Sequence, residues 1–277
     1  DIISNMKFVL VLLILILSIK PTKANEKDHE LLMATLFVQS SAEFYANSKS
    51  LYSSAQQNLL DVLENKNHTA ALEQMGNFQD KPPAIILDVD QTVLDNSAYQ
   101  ARLIKNNSSY PNGWVSWAKE EKAEFLPGAL EFIKFAQSKG VEIFFVTNRV
   151  IEIENATLSN YEKLGLKLSS RVDHILSRGE NGWDSNKTSR RELVAKDYRI
   201  LMMFGDNLGD FVDIKENLLT PQKRVEITKK YDDFWGTSWF MFPNPMYGAW
   251  EGAIIDFDYS VPRNKKLELK ELSLDAK

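Results

Sequence analysis

Cysteine is missing from all 277 residues. That excludes disulfides, a thiolate nucleophile and any cysteine-ligated metal. Excess positive charge is missing too. The formal net charge is -5, and no basic patch of the kind that binds nucleic acid can be found, so no nucleic-acid polymer is expected as a partner. There are no internal repeats and no low-complexity tracts. The only long apolar run, Phe8 to Leu17, is too short to span a bilayer comfortably. Proline and glycine do not occur in residues 28–64, which leaves that segment free to be helical.

The apolar run has another reading. Met6 and Lys7 precede it, and Pro21-Thr-Lys-Ala24 follows with small residues where a signal peptidase reads. Residues 1–24 are therefore expected to be a secretory signal. The mature chain would begin near Asn25 and work outside the cytoplasm, secreted or periplasmic, with no membrane anchor after cleavage.

The chain is organised around Ala84 to Tyr99, AIILDVDQTVLDNSAY. An apolar start after Pro82-Pro83 reads as a buried strand. Side chains two apart in an extended chain point the same way, so Asp88 and Asp90 are expected to leave the strand together. Two close carboxylates repel unless a cation joins them. The pattern suits a nucleophile beside a proton donor with a hard metal ion between them. A solvated acidic turn after a strand is the plain alternative.

Apolar residues from Leu31 to Leu63 recur at roughly helical spacing and predict one or two helices, with Gln39 and Glu43 on one face. Asn65 to Pro83 reads as a linker. Trp114 and Trp117 sit near a polar loop, as core or lid packing or as a platform for a flat ligand. Strands are predicted at 141–146, 172–176, 200–204 and 239–242, with helices between them that start and stop at residues such as Pro127 and Gly140. His174 reads as a packed strand residue. The last dozen residues are charged and expected to fray. Alternating strands and helices give an α/β fold with a parallel sheet covered on both faces. Ligands bind such sheets at the carboxyl ends of strands. Asp88/Asp90, Thr147/Asn148 and Asp206/Asp210 all fall there.

Together these motifs resemble the haloacid dehalogenase (HAD) superfamily, and within it the class C bacterial acid phosphatases, the family of outer-membrane lipoprotein acid phosphatase and 5′-nucleotidase. Asp88-Val-Asp90-Gln91-Thr92-Val-Leu-Asp95-Asn96-Ser-Ala-Tyr99 and Gly205-Asp-Asn-Leu-Gly-Asp-Phe211 carry the resemblance, which covers about residues 30–255. It implies a Rossmann-like HAD sheet with a smaller helical cap. Residues 25–82 would be a helical segment contributing to that cap. Residues 83–258 would be the catalytic domain with a cap insertion around 96–126, and 259–277 a polar tail.

The resemblance also implies roles. Asp88 is similar to the nucleophile that becomes phospho-aspartyl, and Asp90 to the general acid and base. Thr147, with Asn148 beside it, and Lys187 of Lys187-Thr-Ser-Arg190 resemble phosphate-binding residues. Asp206 resembles a metal ligand with Asp210 behind it, and Asp88 and the backbone carbonyl of Asp90 would join it around Mg²⁺. Trp114 and Tyr247 resemble aromatics that stack on a substrate base, and the Gln39/Glu43 face has a family counterpart. The implied activity is hydrolysis of phosphate monoesters, including nucleoside 5′-monophosphates or nicotinamide mononucleotide, with an acidic optimum and a possible homodimer. Gln91 stands where members often have Glu, with little effect expected because its side chain should point away from the nucleophile. The missing cysteine excludes lipid anchoring through an N-terminal Cys. A scavenger that ignores the base, and a non-catalytic storage or binding protein, are the competing readings.

Overall fold

The structure is a computed structural model that describes residues 29–213 and 219–277. The expected signal segment, 1–24, lies outside the described residues. Two helices lead, α1 (Leu32–Ser40) and α2 (Ala42–Glu64), followed by strand β1 (Pro83–Leu87). Next come β2 (Leu94–Asp95), α3 (Ser97–Lys105), α4 (Trp114–Ala118) and β3 (Glu124–Phe125). Then α5 (Ala129–Ser138), β4 (Glu142–Val150), α6 (Glu154–Lys163), β5 (Ile175–Arg178), α7 (Thr188–Asp197) and β6 (Arg199–Gly205) alternate. The chain closes with α8 (Pro221–Lys230), β7 (Trp239–Met241), α9 (Ala249–Ile254) and α10 (Arg263–Leu272).

Five strands make one parallel sheet in the order β5-β4-β1-β6-β7. Its strands are buried on both faces, which is why their sequences are near-continuous apolar runs. Ile85 and Leu87 pack into the cluster shared with α2, α5 and α6, through Tyr52, Phe132 and Tyr161. Ala84 and Ile86 pack oppositely, with Val194 and Ala195 of α7 and Trp239 of β7. The connections from β1 to β4 and β5 thus cover one face, and those to β6 and β7 the other. The direction reverses between β1 and β6, and such sheets bind ligands beyond the carboxyl ends of the strands at that point.

Helix α2 packs on the sheet. Tyr52, Ala55 and Leu59 are buried at helical spacing. The Tyr52 hydroxyl donates to the Thr92 carbonyl at 2.7 Å, so α2 braces the turn after Asp90. Gly128, at φ +94°, lies under Tyr52, where an added Cβ would meet the Tyr52 Cβ at 2.9 Å. At the other end buried Arg199 donates to the carbonyls of Leu63 and Asn65, both at 2.8 Å, and so satisfies the helix C-terminus. Helix α1 instead packs on α3.

Three expectations need correction. Gln39 and Glu43 do not share a helix face. Ser41 takes extended angles and caps α2 by accepting from Phe44 N at 3.0 Å, so the helix breaks between them. The Asn65–Pro83 linker is built into the core, where the Ala70 carbonyl accepts from Trp239 Nε1 at 2.6 Å and Gln74 Nε2 donates to Ala195 O at 2.7 Å. The C-terminal residues form α10, tied back by Lys270 to Glu251 at 2.5 Å and Glu30 at 2.7 Å.

Candidate active site

Asp88 follows β1 directly, and its N–H still joins the ladder, donating to Phe204 O at 2.9 Å. The chain then turns sharply. Gln91 adopts φ 55°, a left-handed conformation costly for a residue with a side chain, and its N–H closes on Leu94 O at 2.8 Å. The buried Gln91 side chain accepts from Asn96 N at 2.7 Å, so it braces this turn, and no hydrogen bond joins it to Asp88.

Lys187, at the start of α7, is buried and donates to Asp88 Oδ1 and, at 2.6 Å, to Asp210 Oδ1. Asp210 Oδ2 accepts from Asn207 N at 2.9 Å within a capping box, which fixes the short turn after β6. Gly205 makes room for this, since a Cβ there would overlap the Asp210 side chain. Asn244 donates to Asp206 Oδ2 at 2.7 Å. Among the described residues, Asp88 Oδ2 and Asp206 Oδ1 make no hydrogen bond.

Oxygens of Asp88, Asp206 and Asp210 lie within 4.8 Å of one another. Three carboxylates face one ammonium here, so two negative charges stay uncompensated. The strain shows in their protonation. Burial pushes Asp88 up to about 7, against the pull of Lys187, with Asp210 and Asp90 adding to the rise. Burial, then Asp88 and Asp210, push Asp206 well above the usual carboxylate range. Hard oxygen donors short of two positive charges fit a divalent cation.

Asp90 pairs with a different basic side chain from Asp88. Its carboxylate is gripped by buried Arg149 of β4, with Nη2 to Oδ1 at 2.8 Å and Nε 3.2 Å from both oxygens. Arg149 Nη1 donates to Thr157 Oγ1 at 2.9 Å, and the guanidinium carbon lies 5.5 Å from the Trp114 ring. Trp114 is half-buried, stacked on Trp117 at 5.3 Å and edge-on to Tyr99 at 5.0 Å. Its place beside Arg149 puts it one residue from Asp90.

Thr147 is buried where the pairing of β4 with β5 shifts register, a bulge that re-aims the strand end. Thr147 Oγ1 accepts from Arg149 N at 3.1 Å. The Asn148 side chain turns sideways, with Nδ2 donating to Ser185 O at 3.0 Å and Oδ1 accepting from Arg190 at 2.8 Å. Tyr247 is half-buried, and its hydroxyl accepts from Asn96 Nδ2 at 2.7 Å. Asn244 links it to the acidic cluster, accepting from Tyr247 N at 3.4 Å while donating to Asp206, and burial, with Asp206, Asp90 and Asp88 adding, raises the phenol pKa well above normal. Gln39 and Glu43 are exposed. His174 is packed as expected, with Nδ1 2.7 Å from Ile143 O.

Sequence reading assigned no role to Arg149, Arg190 or Asn244. A signal existed for the first two, because each lies within a motif already singled out, Thr147-Asn-Arg149 and Lys187-Thr-Ser-Arg190. Asn244 had only its proximity to Tyr247.

A family model described as HAD superfamily, subfamily IIIB (acid phosphatase), matches residues 14–250. Among solved structures, the class C acid phosphatase from Bacillus anthracis is similar at 34% identity and TM-score 0.78, covering 89% of this chain and 97% of that one. A second structure of that enzyme, with tungstate bound, matches to the same extent. With its parallel sheet, its acidic cluster at the β1/β6 switch and these matches, the chain belongs to the HAD superfamily, subfamily IIIB, and is an acid phosphatase that hydrolyses phosphate monoesters.

Proposed function

We propose that the protein is a secreted or periplasmic Mg²⁺-dependent phosphatase that works through a phospho-aspartyl intermediate on Asp88, with nucleoside 5′-monophosphates among its substrates. The observation that carries this is Asp88 itself. It stands at the switch point with one oxygen on Lys187 and the other unbonded, among carboxylates that fit a divalent cation.

Asp88, Asp206 and the backbone carbonyl of Asp90 would hold Mg²⁺, which when bound offsets charge on the phosphate and keeps Asp88 ionised. Asp88 Oδ2 attacks phosphorus in line, the bond to the leaving oxygen breaks, and an acyl phosphate forms. Lys187 balances charge on the transferring group, and Thr147 holds one of its oxygens. Asp90 gives its proton to the leaving alcohol, then takes one from the water that hydrolyses the acyl phosphate. Arg149 fixes where Asp90 stands. Tungstate, bound in the Bacillus anthracis enzyme, is a tetrahedral oxyanion like phosphate, and the same pocket chemistry would take it here.

Support for the nucleotide part comes from Trp114, packed beside Arg149, and Tyr247, beside the acidic cluster. Each offers a half-buried aromatic ring on which a base would stack. The extracellular location rests on the expected signal segment.

The test is phosphate release from p-nitrophenyl phosphate, AMP and nicotinamide mononucleotide, with and without Mg²⁺. Release from AMP that needs Mg²⁺ supports the reading. Release from p-nitrophenyl phosphate alone would favour a scavenger that ignores the base, and release unaffected by chelators would remove the metal.

A further inference from the structure

Arg190 of α7 is wholly buried and has no carboxylate partner among the described residues. Every bond it donates ends on a neutral oxygen. Nη1 reaches the carbonyls of Thr147 and, at 3.3 Å, Leu176. Nη2 reaches Asn148 Oδ1 at 2.8 Å and the carbonyls of Asp184 at 3.1 Å and Asn186 at 3.2 Å. Nε finds no acceptor. Its neighbours differ. Lys187 has Asp88 and Asp210, Arg149 has Asp90, and Arg191 has Glu73 at 2.6 Å. A buried charge with no carboxylate bonded to it is costly, and Asp88, the foremost carboxylate acting on it through space, is already committed to Lys187, so the charge suits an anion brought from outside. The guanidinium stays charged, because burial lowers its pKa only to about 10. Arg190 lies three residues after Lys187, which bonds Asp88, and it holds the Thr147 and Asn186 carbonyls, so it stands behind the turns that flank the nucleophile.

We propose that Arg190 is a positioning residue of the phosphate site. It fastens the Thr147–Asn148 turn to the loop from Asp184 to Lys187, and its fixed positive charge is balanced by the phosphate of the substrate or by inorganic phosphate. This role rests on Asp88 and Lys187 receiving that phosphate. Gripping the Thr147 carbonyl also sets the plane of the Thr147–Asn148 peptide, because C=O and N–H of a trans peptide are rigidly opposed.

The experiment compares Arg190→Gln and Arg190→Lys with the unaltered chain. It reads inhibition by inorganic phosphate, its salt dependence, kcat and KM on p-nitrophenyl phosphate, and thermal unfolding. Arg190→Gln is expected to weaken phosphate inhibition about tenfold and to flatten its salt dependence, as loss of one charged contact does. Arg190→Lys keeps the charge but not the five-way fork, so phosphate inhibition should stay within about threefold while kcat drops about tenfold. A folded Arg190→Gln that is inhibited by phosphate like the unaltered chain, and only melts lower, overturns the proposal. If Arg190→Gln does not fold, Arg190→Lys decides, since unchanged kcat and unchanged inhibition in that variant overturn it too. Asp88→Asn, assayed alongside, separates two kinds of failure. Full activity there removes the phosphate site itself, whereas an inactive Asp88→Asn with normal inhibition of Arg190→Gln removes only the role of Arg190.

Discussion

Arg149 holds Asp90 through its Nε and Nη2 nitrogens, from a strand 59 residues further along the chain. The pairing fixes the direction of the group proposed to move the proton. Arg149→Leu would leave Asp90 without its partner. It should cost about 3 kcal/mol of stability and lower kcat on AMP by about 10²-fold. The loss on p-nitrophenyl phosphate should be smaller, because a phenolate leaves without needing a proton. Arg149→Lys should fall between, since an ammonium cannot form the same planar fork. Urea unfolding and steady-state rates on both substrates check this, and equal losses on the two would speak against proton transfer by Asp90.

A second expectation concerns metal and pH. Asp88 is held at about 7 and Asp206 is also raised in the metal-free protein, above the 3.8 of an ordinary carboxylate. The folded state therefore binds protons more tightly than the unfolded chain. The sign follows: this contribution to stability is present at low pH and is lost as pH rises between about 4 and about 7. A divalent cation displaces those protons, so it should bind more tightly, and stabilise more, as pH rises. Melting temperatures of chelator-treated protein, with and without Mg²⁺, should diverge from pH 5 to pH 7.5. A constant gap would contradict the assignment of these carboxylates as ligands.

Gly205→Ala should be damaging because its methyl group would occupy the space of the Asp210 side chain. Overpacking of this kind costs about 1–3 kcal/mol. Asp210 would be pushed off Lys187 and Asn207 N, so activity should fall further than stability alone explains. Denaturant midpoints measured beside kcat test this.

Trp114→Ala and Tyr247→Ala test base recognition. Stacking on one aromatic is worth about 1–3 kcal/mol per base, so KM for AMP should rise about tenfold or more while KM for p-nitrophenyl phosphate rises less. Equal changes would assign both rings to packing alone.

The strands and the strand-end clusters were legible because both are local. Ile85 to Leu87 and Ile200 to Phe204 are apolar on both faces, and Asp88 follows the first run directly while Asp206 follows the second after Gly205. What escaped depends on distant partners. Nothing near Arg149 announces Asp90, and nothing in Asn148 says that its amide is committed to Arg190 and Ser185. The break at Ser41 was hidden because a serine within an apolar periodic stretch reads as helix until its capping bond is seen. Helix α10 was hidden by its charge, and it is held by ion pairs to Glu30 and Glu251 rather than by a buried apolar side.

The most direct measurement is of the Asp88→Asn variant. The unaltered enzyme, quenched in acid during turnover of labelled substrate with Mg²⁺, should carry phosphate on the peptide containing Asp88. Asp88→Asn, folded by its melting curve, should carry none and should release no phosphate from p-nitrophenyl phosphate or AMP. Phosphate release by Asp88→Asn at a rate near that of the unaltered chain would contradict Asp88 as the nucleophile.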